Sequence, residues 1–165
     1  MSLKEDLTKD LKTFLKEGKE LEVSTLRQLL SSILNKEKEK RFSLFKKNPD
    51  ISAEEADKQS LLSDEEIADV INSEAKKRRE AAEGFEKGGR TESAEKEKKE
   101  LEILKKYMPE QLSEEEVKSL VLEAVSKIGA KDIKDMGKVM AELMPKTKGK
   151  ADGSLVGRLV KESLQ

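Results

Sequence analysis

The chain contains no cysteine, no histidine and no tryptophan, and only three of its 165 residues are proline. Without cysteine there is no disulfide framework and no thiol nucleophile. With histidine also missing there is no imidazole base and no zinc site of the usual Cys/His type. The lack of cysteine fits a reducing compartment, and a cytoplasmic location is expected. Aromatic residues make up 3% of the chain, so a core must be assembled from Leu, Ile, Val, Met and Ala. Those residues suit amphipathic helices better than a β-sandwich. No apolar run approaches the roughly 18 residues of a membrane span. The opening Met1-Ser2-Leu3-Lys4-Glu5-Asp6 is mixed in charge and lacks the apolar stretch of a signal peptide. There is no P-loop and no dinucleotide-binding glycine pattern, so no cofactor is expected, and no metal.

What the chain does have is charge. Charged residues reach 42%, divided almost evenly into 34 basic and 35 acidic, which excludes a globally basic nucleic-acid binder but leaves room for a local patch. Apolar residues recur between the charges at helical spacing, a pattern of solvated helix faces rather than of disorder. Leu3, Leu7, Leu11, Phe14 and Leu15 predict a first helix that stops at Gly18. Val23, Leu26, Leu29, Leu30, Ile33 and Leu34 predict a second from about Glu22 to Lys40, whose charged last turns, Lys36 to Arg41, are expected to project into solvent. The rhythm breaks over residues 43–62, around Asn48-Pro49, and this stretch reads as an insertion, an extended loop or a short helical segment.

Ser63-Asp64-Glu65-Glu66 matches a capping box. It opens a third helix bearing Ile67, Val70, Ile71, Ala75 and Ala82, which ends at Gly88-Gly89. A fourth helix from Thr91 carries Ala94, Leu101, Leu104, Tyr107 and Met108 as far as Pro109. Ser113 to Glu116 is a second capping box, leading into Val117, Leu120, Val121, Ala124, Val125 and Ile128 before Gly129. Ile133, Met136, Val139, Met140 and Leu143 predict a sixth helix up to Pro145, and Asp152 or Ser154 can cap a last one bearing Leu155, Val156, Leu159, Val160 and Leu164. The spacing therefore predicts an all-α protein: a bundle of about four helices over 1–109, then a compact three-helix domain over 110–165.

The residues that could carry function lie mainly near the carboxyl end. Lys146, Lys148 and Lys150 alternate through Lys146-Thr147-Lys148-Gly149-Lys150-Ala151-Asp152-Gly153, just before a helix N-terminus. Free N–H groups and the macrodipole there favour an anion that lysines can reinforce, and RNA phosphate is an obvious candidate. Residues 131–165 hold eight basic against five acidic residues, a local excess of the right sign. The competing reading is a solubilising helix–helix loop. A second basic run, Lys76-Lys77-Arg78-Arg79, makes Lys77 and Arg78 weaker candidates. Four consecutive helical residues point in different directions, and Glu74, Glu80 and Glu83 stand at i,i±4 to them. No carboxylate pair or nucleophile stands out as catalytic. Ser31-Ser32, the one Ser-Ser pair, lies on an apparent helix.

Several segments together resemble the YqeY family: Met1-Ser2-Leu3-Lys4, Ser24-Thr25-Leu26-Arg27, and Glu74 through Lys77-Arg78-Arg79-Glu80 to Phe85. The most specific are Tyr107-Met108-Pro109-Glu110-Gln111-Leu112-Ser113, Asp135-Met136-Gly137-Lys138-Val139-Met140 and Lys148-Gly149-Lys150-Ala151-Asp152-Gly153. The resemblance implies an N-terminal helical bundle followed by a small helical domain similar to the C-terminal tail of the GatB subunit of tRNA-dependent amidotransferase. In that enzyme the tail helps hold tRNA, while the chemistry occurs elsewhere. Lys138 and Arg158 thereby join Lys146, Lys148 and Lys150 as candidate RNA contacts, with tRNA and amidotransferase subunits as expected partners. The family label, carbon–nitrogen ligase activity with glutamine as amido-N donor, implies an alternative role as part of an enzyme. Kinship of fold does not carry chemistry with it, and a helical protein-interaction scaffold is a further alternative.

Overall fold

The computed structural model describes residues 2–165. The chain is all-α: α1 (Leu3–Glu17), α2 (Glu20–Lys47), α3 (Ala53–Ser60), α4 (Asp64–Lys87), α5 (Thr91–Lys105), α6 (Glu114–Ile128), a 3-10 turn (Ile133–Asp135), α7 (Met136–Thr147) and α8 (Gly153–Ser163), with no strand among the described residues. It divides into two compact units, one reaching to Tyr107 and the other spanning Met108–Gln165.

Local signals set most helix ends. Ser2, Ser63 and Ser113 each close a capping box, with Glu5, Glu66 and Glu116 returning the bond to the serine N–H. At the other end of α6, Gly129 takes φ 68°, a left-handed conformation that costs a side-chain-bearing residue strain. The first unit packs Leu7 of α1, Leu26, Leu29 and Ile33 of α2, Ile67, Ile71 and Ala75 of α4, and Leu104 of α5 into one buried core. The second unit has its own core: Val117, Val121 and Ala124 from α6, Val139 and Leu143 from α7, and Val156, Leu159, Val160 and Leu164 from the α8 region.

The structure departs from the sequence reading in several places. The second helix continues to Lys47, and Ala53–Ser60 forms a further helix capped by Ser52, so of the two readings of residues 43–62 the short helical segment holds and the extended loop does not. Ion pairs support this extension beside the half-buried Leu44 and Phe45. Lys40 bridges Glu66 at 2.8 Å, and Arg41 pairs with Asp57 of α3. The charged last turns of α2 are not wholly in solvent either, because Glu37 is buried, accepts Lys4 Nζ at 2.6 Å and faces the Leu62 N–H. Leu15, Leu34 and Ile133, read as core-facing, are exposed. Pro145 lies inside α7 instead of ending it. The helix runs on to Thr147, which is buried and donates its hydroxyl to the Leu143 carbonyl, and the Lys148 N–H closes the end on Met144.

Candidate nucleic-acid interface

The turn between α7 and α8 is held from several sides. Gly149 adopts φ 74°, which reverses the chain as it leaves α7. The Thr147 carbonyl accepts the N–H groups of both Lys150 and Ala151 at 3.0 Å. Asp152 caps α8 by accepting the Ser154 N–H at 2.7 Å. The segment ahead of α6 then fastens the turn from outside. Leu112 N–H donates to the Lys150 carbonyl at 2.7 Å, and the Gln111 side-chain amide donates to the Gly149 carbonyl at 2.9 Å and to the Pro109 carbonyl at 2.8 Å. Three carbonyls of the turn, those of Thr147, Gly149 and Lys150, are thus occupied by donors of the same domain.

The five cations singled out from sequence do not form one free cluster. Lys138 pairs with Asp135 one turn earlier at 2.9 Å, and that bond and charge raise its pKa above the ordinary lysine value. Lys146 reaches across to Glu123 of α6 at 3.0 Å. Arg158 lies between Glu114 of α6 at 2.8 Å and Glu162 at 3.3 Å, and the bond and charge of Glu114 lead in raising its pKa. Lys148 and Lys150 flank Gly149, both exposed, and Lys150 makes no ion pair among the described residues. Over the whole second unit, residues 108–165, ten basic residues face ten acidic ones. The unit as a whole therefore has no net charge to draw a polyanion.

The weaker pair of candidates separates. Lys77 is exposed on α4 and bonds Glu74 at 2.8 Å. Arg78 is buried. It is 7% exposed, and its guanidinium bonds Glu74 Oε2 at 2.9 Å, Glu100 Oε2 of α5 at 3.1 Å and Gln28 Oε1 of α2 at 2.6 Å. A phosphate cannot touch it while the bundle is folded. Ser32 of α2 donates to Glu74 at 3.1 Å and completes this buried network. Burial works to raise the Glu74 pKa, but the bond and charge from Lys77, then the bonds from Arg78 and Ser32, outweigh it and hold the carboxyl below its usual range. Ser31-Ser32 accordingly sits mid-helix beside an acid that is a weak base, which is a poor start for amide chemistry. Sequence reasoning missed this network. The one available signal was the i,i+4 spacing of Glu74 and Arg78, which marks a pair but not its burial.

A polar groove of about 710 Å3 runs between α2 and α4, past Asn35, Lys36, Lys40, Asp69 and Lys77. Its lysines are already bonded to Glu39, Glu66 and Glu74. No group of three or more acidic side chains that could hold a metal ion occurs among the described residues, and none of their helices is long and apolar enough to cross a membrane.

No curated protein matches the chain. A family model described as "Yqey-like protein" matches residues 43–164. The matched stretch takes in 43–62, read from sequence as an insertion, and contains the whole α7–α8 turn and the segment that fastens it. Two of the segments that carried the resemblance, Met1 to Lys4 and Ser24 to Arg27, lie outside it.

Proposed function

The chain belongs to the YqeY family, and from that premise we propose that it is a non-catalytic RNA-binding module, serving tRNA or a tRNA-dependent amidotransferase, that takes phosphate at the α7–α8 turn. The observation that carries this reading is the polarity of the turn. With the carbonyls of Thr147, Gly149 and Lys150 occupied from within, as are the N–H groups of Lys148, Lys150 and Ala151, what the turn presents outward is the ammonium groups of its exposed lysines. Phosphate oxygens only accept, so they complement such a surface where a partner bearing its own donors does not. The neighbouring ion pairs are exposed and screened by solvent, so they do not lock the surface against exchange with phosphate.

Fluorescence titration with unfractionated tRNA tests the reading. With two phosphate contacts, affinity falls about tenfold between roughly 50 mM and 200 mM salt. A Lys148→Ala/Lys150→Ala variant loses most of the binding and most of that salt dependence. Equal binding by variant and wild type, or no binding by either at the lower salt, refutes the proposal.

A further inference from the structure

The two sequence segments that stand out most in the second unit, Pro109-Glu110-Gln111-Leu112 and Lys148-Gly149-Lys150, are joined by hydrogen bonds. Gln111 places its side-chain amide between two carbonyls, Pro109 at 2.8 Å and Gly149 at 2.9 Å, and so uses both N–H groups of one –NH2. The adjacent Leu112 N–H takes the Lys150 carbonyl at 2.7 Å. Among the described residues no other side chain bonds the Gly149 carbonyl, whose residue sits at φ 74°. Inside the turn the Thr147 carbonyl takes the Lys150 and Ala151 N–H groups and the Met144 carbonyl takes the Lys148 N–H; Gln111 and Leu112 hold it from outside.

We infer that Gln111 is a positioning residue for the lysine turn: its amide holds the Gly149 carbonyl and, with the Leu112 N–H on the Lys150 carbonyl, fixes the backbone from which the Lys148 and Lys150 side chains project. The residue's type follows from the task. A donor must reach two acceptors at once without adding charge beside lysines meant for a ligand. Glutamine supplies two donors on a neutral side chain, whereas glutamate would set a carboxylate against two carbonyls. The same contact makes the turn sensitive to the Met108–Leu112 segment. Displacing Pro109 or Gln111 releases Gly149, and displacing Leu112 releases Lys150. What the turn binds rests on the RNA reading above; the latch itself does not.

The test uses the full chain with Gln111→Met, which keeps the length and removes both donors, and Gln111→Ala as the second variant. Amide hydrogen exchange read by NMR reports the latch directly. Loss of one net hydrogen bond speeds exchange at Leu112, Lys150 and Ala151 about fivefold, while Val121, Leu143 and Val160 in the core keep their wild-type rates. Unchanged exchange in the turn overturns the inference, and so does acceleration throughout the second unit, which marks a general packing role. The second readout is a double-mutant cycle on tRNA affinity. Gln111→Met weakens wild-type binding about fivefold but costs nothing further once Lys148 and Lys150 are alanine, because it acts only through them. Additive losses overturn the inference. If wild type binds no tRNA, the functional reading fails, and the exchange rates alone decide the latch.

Discussion

Replacing Arg78 by alanine is the most informative perturbation of the first unit, because it asks whether the buried charges hold the bundle together. The guanidinium is 7% exposed and bonds Glu74, Glu100 and Gln28, which come from three different helices. Its removal has unequal consequences for its partners. Glu74 keeps Lys77 at 2.8 Å and Ser32 at 3.1 Å, whereas Glu100, 4% exposed, keeps among the described residues only Lys96 at 3.9 Å. Breaking a buried pair by deleting one partner costs about 3–5 kcal/mol, a large share of the roughly 5–15 kcal/mol that holds a domain folded. Arg78→Ala should therefore move the urea midpoint of the first unit far down, or unfold it. Arg78→Lys recovers only part of the loss, since an ammonium cannot reach three acceptors with the geometry of a planar fork. Replacing the acid together with the base separates charge from packing: Arg78→Met with Glu100→Gln removes the stranded carboxylate and should recover most of the stability lost in Arg78→Ala. A loss below about 1 kcal/mol for Arg78→Ala, within the range of an ordinary surface change, would refute the claim that this network clamps α2, α4 and α5.

The remaining predictions concern pH and the competition for lysines. Because the Glu74 carboxyl titrates below its unfolded value, the stability it contributes is fully present above about pH 4.5 and is lost as pH falls through the folded value; Glu74→Gln should flatten the acid limb of a stability-versus-pH curve measured by urea denaturation. Glu123→Gln releases Lys146 from its 3.0 Å pair, so tRNA affinity should rise about twofold to threefold at low salt with a steeper salt dependence, and a fall in affinity would show that Glu123 serves to hold Lys146 in its binding position.

Those parts of the fold written in local chemistry were legible in the sequence. The boxes at Ser63 and Ser113 need only a hydroxyl and a carboxylate three residues apart, and both form. The core stripes of α4, α6 and α8 follow their 3.6-residue period, so Ile67, Val117 and Val160 are buried as their spacing predicts. Reasoning from spacing failed wherever a charge is buried. Nothing within a turn of Glu37 or Glu100 announces that each is met by a cation from another helix, Lys4 for the one and Arg78 for the other. The same blindness shortened α2. Between Leu34 and Phe42 its apolar stripe is interrupted by charge, and cross-helix ion pairs that periodicity cannot register carry the helix through.

The candidate site was legible in composition and illegible in arrangement, for a related reason. A count of lysines near the carboxyl end shows an excess of positive charge, but what a polyanion feels is the field after neighbouring acids have answered it. Asp135, Glu123 and Glu114 answer Lys138, Lys146 and Arg158 at 2.8–3.0 Å, well inside the roughly 8–10 Å over which a charge acts in ordinary salt. A phosphate approaching one of these cations meets its carboxylate almost as closely, and the net attraction is small. Around Gly149 three carbonyl dipoles are engaged from within the domain, that of Gly149 by Gln111, which lies 38 residues away in sequence. Pro109-Glu110-Gln111-Leu112 reads as a linker because it has no periodicity. Its role comes from hydrogen bonds to distant backbone, and that is the part of a site that composition and spacing cannot express.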